Sequence, residues 1–107
     1  MSEIIKAEKF ELAGAVEYAD ASVVSKTVVK KDTGNVSLFA FDKGQGLSEH
    51  SAPFDAMVNV VDGTADIIID KKSNILGAGE SIIMPANIPH AVKAIEKFKM
   101  MLVMIKS

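Results

Sequence analysis

The chain has 107 residues and a formal net charge of −2, and 49% of its residues are apolar. A chain of this size holds one domain with one modest core, and its lysines are scattered rather than gathered into the basic stripe that nucleic-acid binding requires. The sequence has no cysteine, which excludes disulfides and thiolate chemistry. We therefore expect any bound metal to use nitrogen and oxygen ligands.

Apolar runs in the chain are too short to cross a membrane. The longest one near the C-terminus covers only Met100 to Ile105, whereas a spanning helix needs about 20 apolar residues. Charged residues near the start of the chain stand where a signal peptide has its apolar stretch. We therefore expect a cytoplasmic protein that is not inserted in a membrane.

Runs of β-branched and aromatic residues alternate with turn signals along the chain. The runs predict strands over 23–29, 36–41, 57–61, 65–69, 81–84 and 98–105. Strands at this spacing favour an all-β sandwich or barrel, with residues 36–105 as the barrel core. Asp62-Gly63 predicts a tight hairpin, because a type I′ turn needs a positive φ at both central residues. A further turn signal runs from Asp70 to Asn74.

Residues 1–20 form an N-terminal extension with a less regular pattern. Phe10, Leu12 and Val16 fit either a short amphipathic turn of helix or an opening strand. The extension is also a candidate contributor to a dimer.

Two histidines stand in separate blocks that are punctuated by glycine and proline. The marker residues are Gly44, His50 and Gly63 in the first block, and Gly79, Pro85 and His90 in the second. Their spacing resembles the two sequence motifs of the cupin superfamily, over the central half of the chain. Four positions depart from the family pattern: Ala52 replaces a histidine, Ala56 a glutamate, Asn87 a glycine and Ala94 an asparagine.

The resemblance implies an all-β double-stranded β-helix, the jelly-roll cupin barrel, formed by a single domain over residues 1–107. It also implies a divalent iron, manganese, nickel or zinc ion, which intact members bind through three histidines and one glutamate. This chain retains His50 and His90 of that set, and these are its candidate metal ligands. Glu49 and Asp55 are nearby oxygen donors, but both are one residue out of phase with the inward face. Asn87 tolerates the left-handed conformation of the glycine that it replaces.

Two-residue alternation indicates which side chains meet inside the barrel. It places Ala56 and Val58 on one face of their strand, and His90 and Val92 on one face of another. The cupin resemblance implies that the face with Ala56 and Val58 points inward. His50 and His90 then face one cavity from neighbouring strands, where burial would lower the pKa of an imidazole. We predict an apolar pocket with two polar groups, lined by His50, Ala52, Ala56, Val58, His90, Val92, Phe39 and Phe41.

Three functions remain open at this point. The first is a small-molecule-binding cupin whose apolar pocket needs no metal. The second is an enzyme, either a metal-dependent dioxygenase or isomerase with a reduced histidine site, or a metal-free isomerase or lyase. The third is an interaction or sensing module. We favour the first, because two imidazoles alone are a weak metal site when catalytic zinc centres normally have three protein ligands.

The last predicted strand is apolar on both of its faces. Phe98 and the alternate residues after it share one face, with Met101, Val103 and Ile105 on the other. A strand of this kind is usually covered on both sides. We therefore predict a homodimer in which a second copy covers the outer face.

Overall fold

The computed structural model describes residues 4–106. These residues form seven β-strands and no helix, so the all-β prediction is confirmed. The strands are β1 (Val23–Lys31), β2 (Gly34–Phe41), β3 (Gly46–His50), β4 (Asp55–Ile69), β5 (Lys72–Gly77), β6 (Ser81–Met84) and β7 (His90–Ile105). Within this range the chain has no helix with the length and apolar character to cross a membrane.

Two long strands, β4 and β7, pair antiparallel along almost their whole length and take part in both layers of the barrel. The C-terminal half of β7 also pairs with β2, which pairs with β1, while the N-terminal half of β4 pairs with β6. The other halves of β7 and β4 pair with β3 and β5. Each long strand therefore passes from one sheet into the other, which gives the jelly-roll barrel.

The passage between the sheets occurs at Gly63. The register between β4 and β7 shifts on both sides of this residue, which has a φ of 78°. A Cβ at this position would collide with the carbonyl oxygen of Lys97 and lie 2.7 Å from the Cα of Phe98. Glycine is required because it alone permits this close approach of the two backbones.

The hairpin predicted at Asp62-Gly63 is therefore wrong. The positive φ of Gly63 bends a continuous strand, because β7 pairs with the residues on both sides of the bend. The reversal comes later, at Asp70 and Lys71, whose φ angles are 50° and 66°. Positive φ at two consecutive residues is the type I′ geometry that the earlier pair was expected to adopt.

Other differences from the predicted elements have local causes. The apolar runs do not mark β3, which is mostly polar and exposed, or β5, whose first residues lie within the predicted turn signal. They also leave out the N-terminal half of β7, where the alternation of His90 and Val92 is the sequence signal for a strand. The N-terminal extension forms neither of the two predicted elements, since its described residues 4–20 contain turns without helix or strand.

The main core lies between the two sheets. Ala56 and Val58 are buried there, as their alternation predicts, and the rings of Phe41 and Phe98 stack with centroids 4.5 Å apart. A second cluster lies on the outer face of β2, where the N-terminal segment from Leu12 to Tyr18 covers Leu38 and its neighbours. The extension therefore covers part of the sheet that would otherwise meet solvent.

Candidate functional site

The two histidines meet at the pairing of β3 with β7. His50 is the register partner of His90, and their ring centroids are 4.4 Å apart in an edge-to-face arrangement with an interplanar angle of 69°. The two sequence blocks that carry them are therefore brought together on neighbouring strands.

The two imidazoles differ in burial. His90 is 5% exposed, whereas His50 is an exposed residue, so the burial that would lower the pKa of an imidazole applies to His90 and not to His50. The reason is that β3 pairs only with β7 among the described strands and leaves its other edge open. His50 stands at the mouth of the barrel and His90 lies inside it.

Both imidazoles are oriented in the same way by the backbone. Nδ1 of His50 lies 2.7 Å from the carbonyl oxygen of Ser48, and Nδ1 of His90 lies 3.2 Å from that of Ile88. A carbonyl oxygen only accepts, so Nδ1 is the donor in each ring. In the neutral form of either ring, this arrangement leaves Nε2 with a free lone pair for a ligand.

Burial controls the protonation of His90. Desolvation lowers the pKa of His90 below its ordinary value, and the neighbouring His50 lowers it further, while the hydrogen bond to the Ile88 carbonyl opposes the shift. The charged imidazolium is disfavoured because the apolar surroundings replace water around it. His90 is therefore a neutral hydrogen-bond acceptor, through Nε2, near neutral pH.

A small apolar cavity of about 60 Å³ adjoins the histidine pair. Its lining consists of Leu47, His50, Ala52, Phe54, Ala56, Met84, His90, Val92, Met100, Leu102 and Met104. Five residues of the predicted pocket line it, but Val58, Phe39 and Phe41 do not. Phe41 stacks between Phe39 and Phe98 in the core, and Val58 lies two residues further along β4 than Ala56.

The sequence analysis missed six lining residues: Leu47, Phe54, Met84, Met100, Leu102 and Met104. The alternation of the last strand already placed three of them on one face, and that signal should have assigned them to the pocket. The other three come from β3, from the loop that follows it and from β6, whose register with the rest of the barrel the sequence does not contain.

A proline-rich corner between β6 and β7 positions His90. Asn87 has a φ of 64°, which agrees with its predicted tolerance of the left-handed region, and its N–H donates to the carbonyl of Ala52 at 2.7 Å. The N–H of Ala86 donates to Oδ1 of Asp55 at 2.8 Å. These bonds tie the corner to the segment after β3, so His50, Ala52 and His90 are held around the same opening.

The donor set does not fit the divalent ion that the cupin resemblance implies. Within residues 4–106, no group of three or more His, Cys, Asp or Glu side chains is placed to hold one metal ion. Of the nearby carboxylates, Asp55 accepts from the Ala86 backbone and Glu49 lies 3.5 Å from Lys71. His50 and His90 are thus without the carboxylate and third imidazole of the complete set.

A larger depression of about 610 Å³ lies between the N-terminal segment and β1, away from the histidines. Exposed residues of both charge signs, such as Glu8 and Lys9, stand beside apolar ones such as Ile5 and Phe10 in its lining. It is a groove on the outer surface of the barrel. The smaller cavity is the candidate site, because its apolar wall carries two oriented imidazoles.

Comparison with known proteins supports this architecture. The family model for the cupin domain matches residues 37–106. A conserved protein of unknown function from Streptococcus pyogenes is 38% identical with a TM-score of 0.92, and the match covers 100% of this chain and 96% of that one. A cupin superfamily protein from Desulfitobacterium hafniense, 24% identical, shares the fold with a TM-score of 0.91 over 99% of this chain and 97% of its own.

A third solved structure is about twice as long as this chain. It is a cupin 2 conserved barrel domain protein from Leptotrichia buccalis, which is 45% identical with a TM-score of 0.88 over 91% of this chain. The match covers 47% of that protein, so this chain spans about half its length. A search of the curated proteins finds no match.

The region matched by the family model includes both histidines and every residue that lines the cavity. The motif spacing, the strand topology and the relatives agree, and the resemblance seen in the sequence is confirmed. This chain belongs to the cupin superfamily.

Proposed function

We propose that this protein is a small-molecule-binding cupin whose ligand sits in the cavity beside His50 and His90. The observation that carries the proposal is an apolar cavity with two oriented imidazoles on its wall. An apolar concave surface with a few placed polar groups is the general form of a small-ligand site. The activity of the protein within that class is unassigned.

The size of the cavity restricts the ligand. Its volume of about 60 Å³ is one fifth of the lower end of the usual range for ligand pockets, about 300 Å³. The methyl groups of Ala52 and Ala56 therefore do not create room for a bulky molecule, because the side chains of Met84 and Met104 line the same space. We infer a ligand of a few heavy atoms.

The polarity of the imidazoles restricts the ligand further. Each Nδ1 is occupied by a main-chain carbonyl, so a neutral ring offers Nε2 as an acceptor. A ligand with an O–H or N–H donor at one end and an apolar remainder satisfies both the imidazole of His90 and the surrounding wall. Short-chain alcohols, amides and undissociated carboxylic acids have this form.

Binding is better supported than catalysis. The alternative function, a metal-dependent dioxygenase or isomerase, needs a donor set that the described residues do not supply. For metal-free proton transfer, a catalytic imidazole is commonly oriented by a carboxylate, whereas His50 and His90 are oriented by main-chain carbonyls. The sequence-based expectations of a cytoplasmic location and of no nucleic-acid partner stay predictions.

Filling the cavity should abolish ligand binding. We expect butan-1-ol, butanamide and butyric acid to include at least one binder, with a Kd in the micromolar to millimolar range, because five or six heavy atoms supply at most about −7.5 to −9 kcal/mol. The Ala56→Leu variant should bind it about tenfold more weakly or not at all, and Ala78→Leu, in the exposed turn after β5, should bind normally. Saturation-transfer NMR and chemical-shift titration measure both. If no compound of the panel binds the wild type at millimolar concentration, the proposal fails.

Protonation of His90 should couple stability to pH. Its folded-state pKa is lowered from 6.5 by desolvation, so its contribution to stability is fully present above that pH. As the pH falls toward the folded-state pKa, the unfolded chain binds a proton that the folded chain does not, and the free energy of unfolding falls by at most about 1.4 kcal/mol per pH unit. Urea melts between pH 7.5 and 5 should show a shallower loss for His90→Gln. The exposed His50→Gln is the control and should keep most of the wild-type slope, because desolvation of His90, and not the neighbouring His50, is the largest cause of the shift; equal slopes in all three proteins would contradict the assignment.

Restoring the two missing donors should create a divalent-metal site. The variant with Ala52→His and Ala56→Glu places a third imidazole and a carboxylate at positions that already line the cavity. We expect it to bind Ni²⁺ or Zn²⁺ at least about a hundredfold more tightly than the wild type, and to gain about 2.7 kcal/mol of stability at 100 times the Kd. Calorimetry and thermal melts measure the two effects. The Ala52→His, Ala56→Gln variant is the matched control without the charge; equal affinity of wild type and double variant would show that the cavity no longer aims donors inward.

We also propose that the protein is a homodimer, with a second copy on the outer face of the larger sheet. Register partners place an apolar row across five strands: Ile83, Met57, Val103, Val36 and Val29. The row adjoins the part of the sheet that the N-terminal segment covers, which includes Leu38 and Met101. Ile83 remains 59% exposed. Fully burying an exposed side chain is worth about 1.5–3 kcal/mol, and the half-buried members of the row contribute less. The rows of two copies together oppose the association cost.

A charge in this row should separate the subunits. We expect sedimentation equilibrium at micromolar concentration to give the dimer mass for the wild type and the monomer mass for Val103→Lys, because the interface would desolvate an unpaired lysine ammonium group. Ile75→Lys, at a 57% exposed position on β5, should remain dimeric. A wild type that has the monomer mass throughout the micromolar range would remove the proposal.

A further inference from the structure

Three of the six methionines of the chain line the same cavity as the two histidines. They are Met84 on β6 and Met100 and Met104 on β7. The sequence analysis excluded sulfur ligands on the absence of cysteine alone, but a thioether sulfur is also a metal ligand. The cavity therefore presents soft sulfur donors and imidazole nitrogens together.

The register of the strands places two of these thioethers beside Ala56. Met84 is the register partner of Ala56 on one side, and Met104 is its partner on the other. Side chains at such cross-strand positions have Cβ atoms about 4.5–5.5 Å apart on one face of the sheet. The methyl group of Ala56 is short, so the space above it is bordered by two long, flexible thioether side chains.

The histidines are oriented as ligating histidines usually are. A metal-bound imidazole typically donates its other N–H to a carboxylate, a backbone carbonyl or water, which fixes the tautomer. Nδ1 of His50 and of His90 have carbonyl partners, at Ser48 and Ile88. In the neutral form of each ring, Nε2 therefore carries the lone pair that a metal ion requires.

The charge of the cavity selects among metals. Its lining contains no carboxylate, so a bound cation keeps its full charge. The cost of transferring an ion into an apolar medium rises with the square of its charge, which disfavours a divalent ion much more than a monovalent one. Thioether and imidazole donors are also those that suit Cu(I). Hard divalent ions are disfavoured on both grounds.

We propose that the cavity is a binding site for monovalent copper, held by Nε2 of His50 and His90 and by the thioethers of Met84 and Met104. This proposal goes beyond the small-molecule function. A metal ion at the cavity wall needs ligand atoms but occupies much less volume than an organic molecule. It also differs from the divalent site that the family motifs imply, because the carboxylate position is occupied by Ala56 and the sulfur donors come from its neighbours.

The experiment uses Ag⁺ as a redox-inert soft probe and Cu(I) under anaerobic reducing conditions. With methyl-labelled methionine, one equivalent of Ag⁺ should shift the methyl signals of Met84 and Met104. The signals of Met57 and Met101 should stay in place, since these residues lie on the outer face of β4 and β7. Competition with a chromophoric Cu(I) chelator then gives the stoichiometry and affinity for copper, and Zn²⁺ is titrated in parallel.

Matched variants distinguish binding at this site from nonspecific binding of soft ions elsewhere on the protein. Met84→Leu and Met104→Leu nearly conserve volume, and each should weaken Cu(I) binding by about tenfold or more. Met101→Leu is the control and should bind as the wild type does. Thermal melts of the metal-free variants verify that each one folds.

Three outcomes would overturn the proposal: binding that Met84→Leu and Met104→Leu leave unchanged, Zn²⁺ binding as tight as that of Cu(I), or a stoichiometry well above one ion per chain. The metal-free protein is used for the organic ligand panel described above. Failure of the copper site and failure of small-molecule binding are therefore observed separately.

Discussion

The antiparallel pairing of β4 with β7 is the constraint on which the rest of the structure depends. It extends from Asp55 opposite Ile105 to Ile69 opposite His90, and it passes between the two sheets at Gly63. Because the backbones touch there, the bend fixes the register on both sides of it. At one end of the pairing Ala56 lies opposite Met104. At the other end His90 pairs with β4 on one side and with His50 of β3 on the other. The cavity therefore follows from the register of two strands.

The open edge of β3 makes the two histidines differ in their exposure to solvent. His90 lies on a strand that has partners on both sides, and it is buried, whereas His50 lies on a strand with one open edge, and it is exposed. The rings still touch, and both are held by the carbonyl two residues earlier in the chain. A neutral acceptor inside and a solvent-facing imidazole outside give the mouth of the barrel a polarity gradient. Under the proposed function, a ligand that enters the cavity with its hydrogen-bond donor first would meet the exposed His50 before it reaches His90.

The sequence predicts the parts of this arrangement that depend on local pattern. Motif spacing predicts the cupin fold. The strand period of two places Ala56 on one face with Val58, and His90 on one face with Val92, and the cupin resemblance implies that these faces meet inside the barrel. Asp62-Gly63 was misread as a hairpin because positive φ at a glycine serves a bend as well as a reversal, and only the pairing with β7 distinguishes them. Phe39 and Phe41 were assigned to the pocket on apolar character, but stacking with Phe98 retains Phe41 in the core. Met84 was missed because its position opposite Ala56 is a property of the folded sheet.

The two alanines that replace family ligands change the chemistry of the cavity in one direction. A histidine at position 52 and a glutamate at position 56 would supply a polar, negatively charged wall, which offsets the desolvation of a divalent ion. With methyl groups there, the neighbouring methionines and the neutral imidazoles remain as the donors and the apolar side chains as the wall. Every remaining donor is uncharged. Such a cavity favours ligands whose desolvation costs little. A small neutral molecule with one hydrogen-bond donor and a soft monovalent cation both have a lower desolvation cost than a divalent ion.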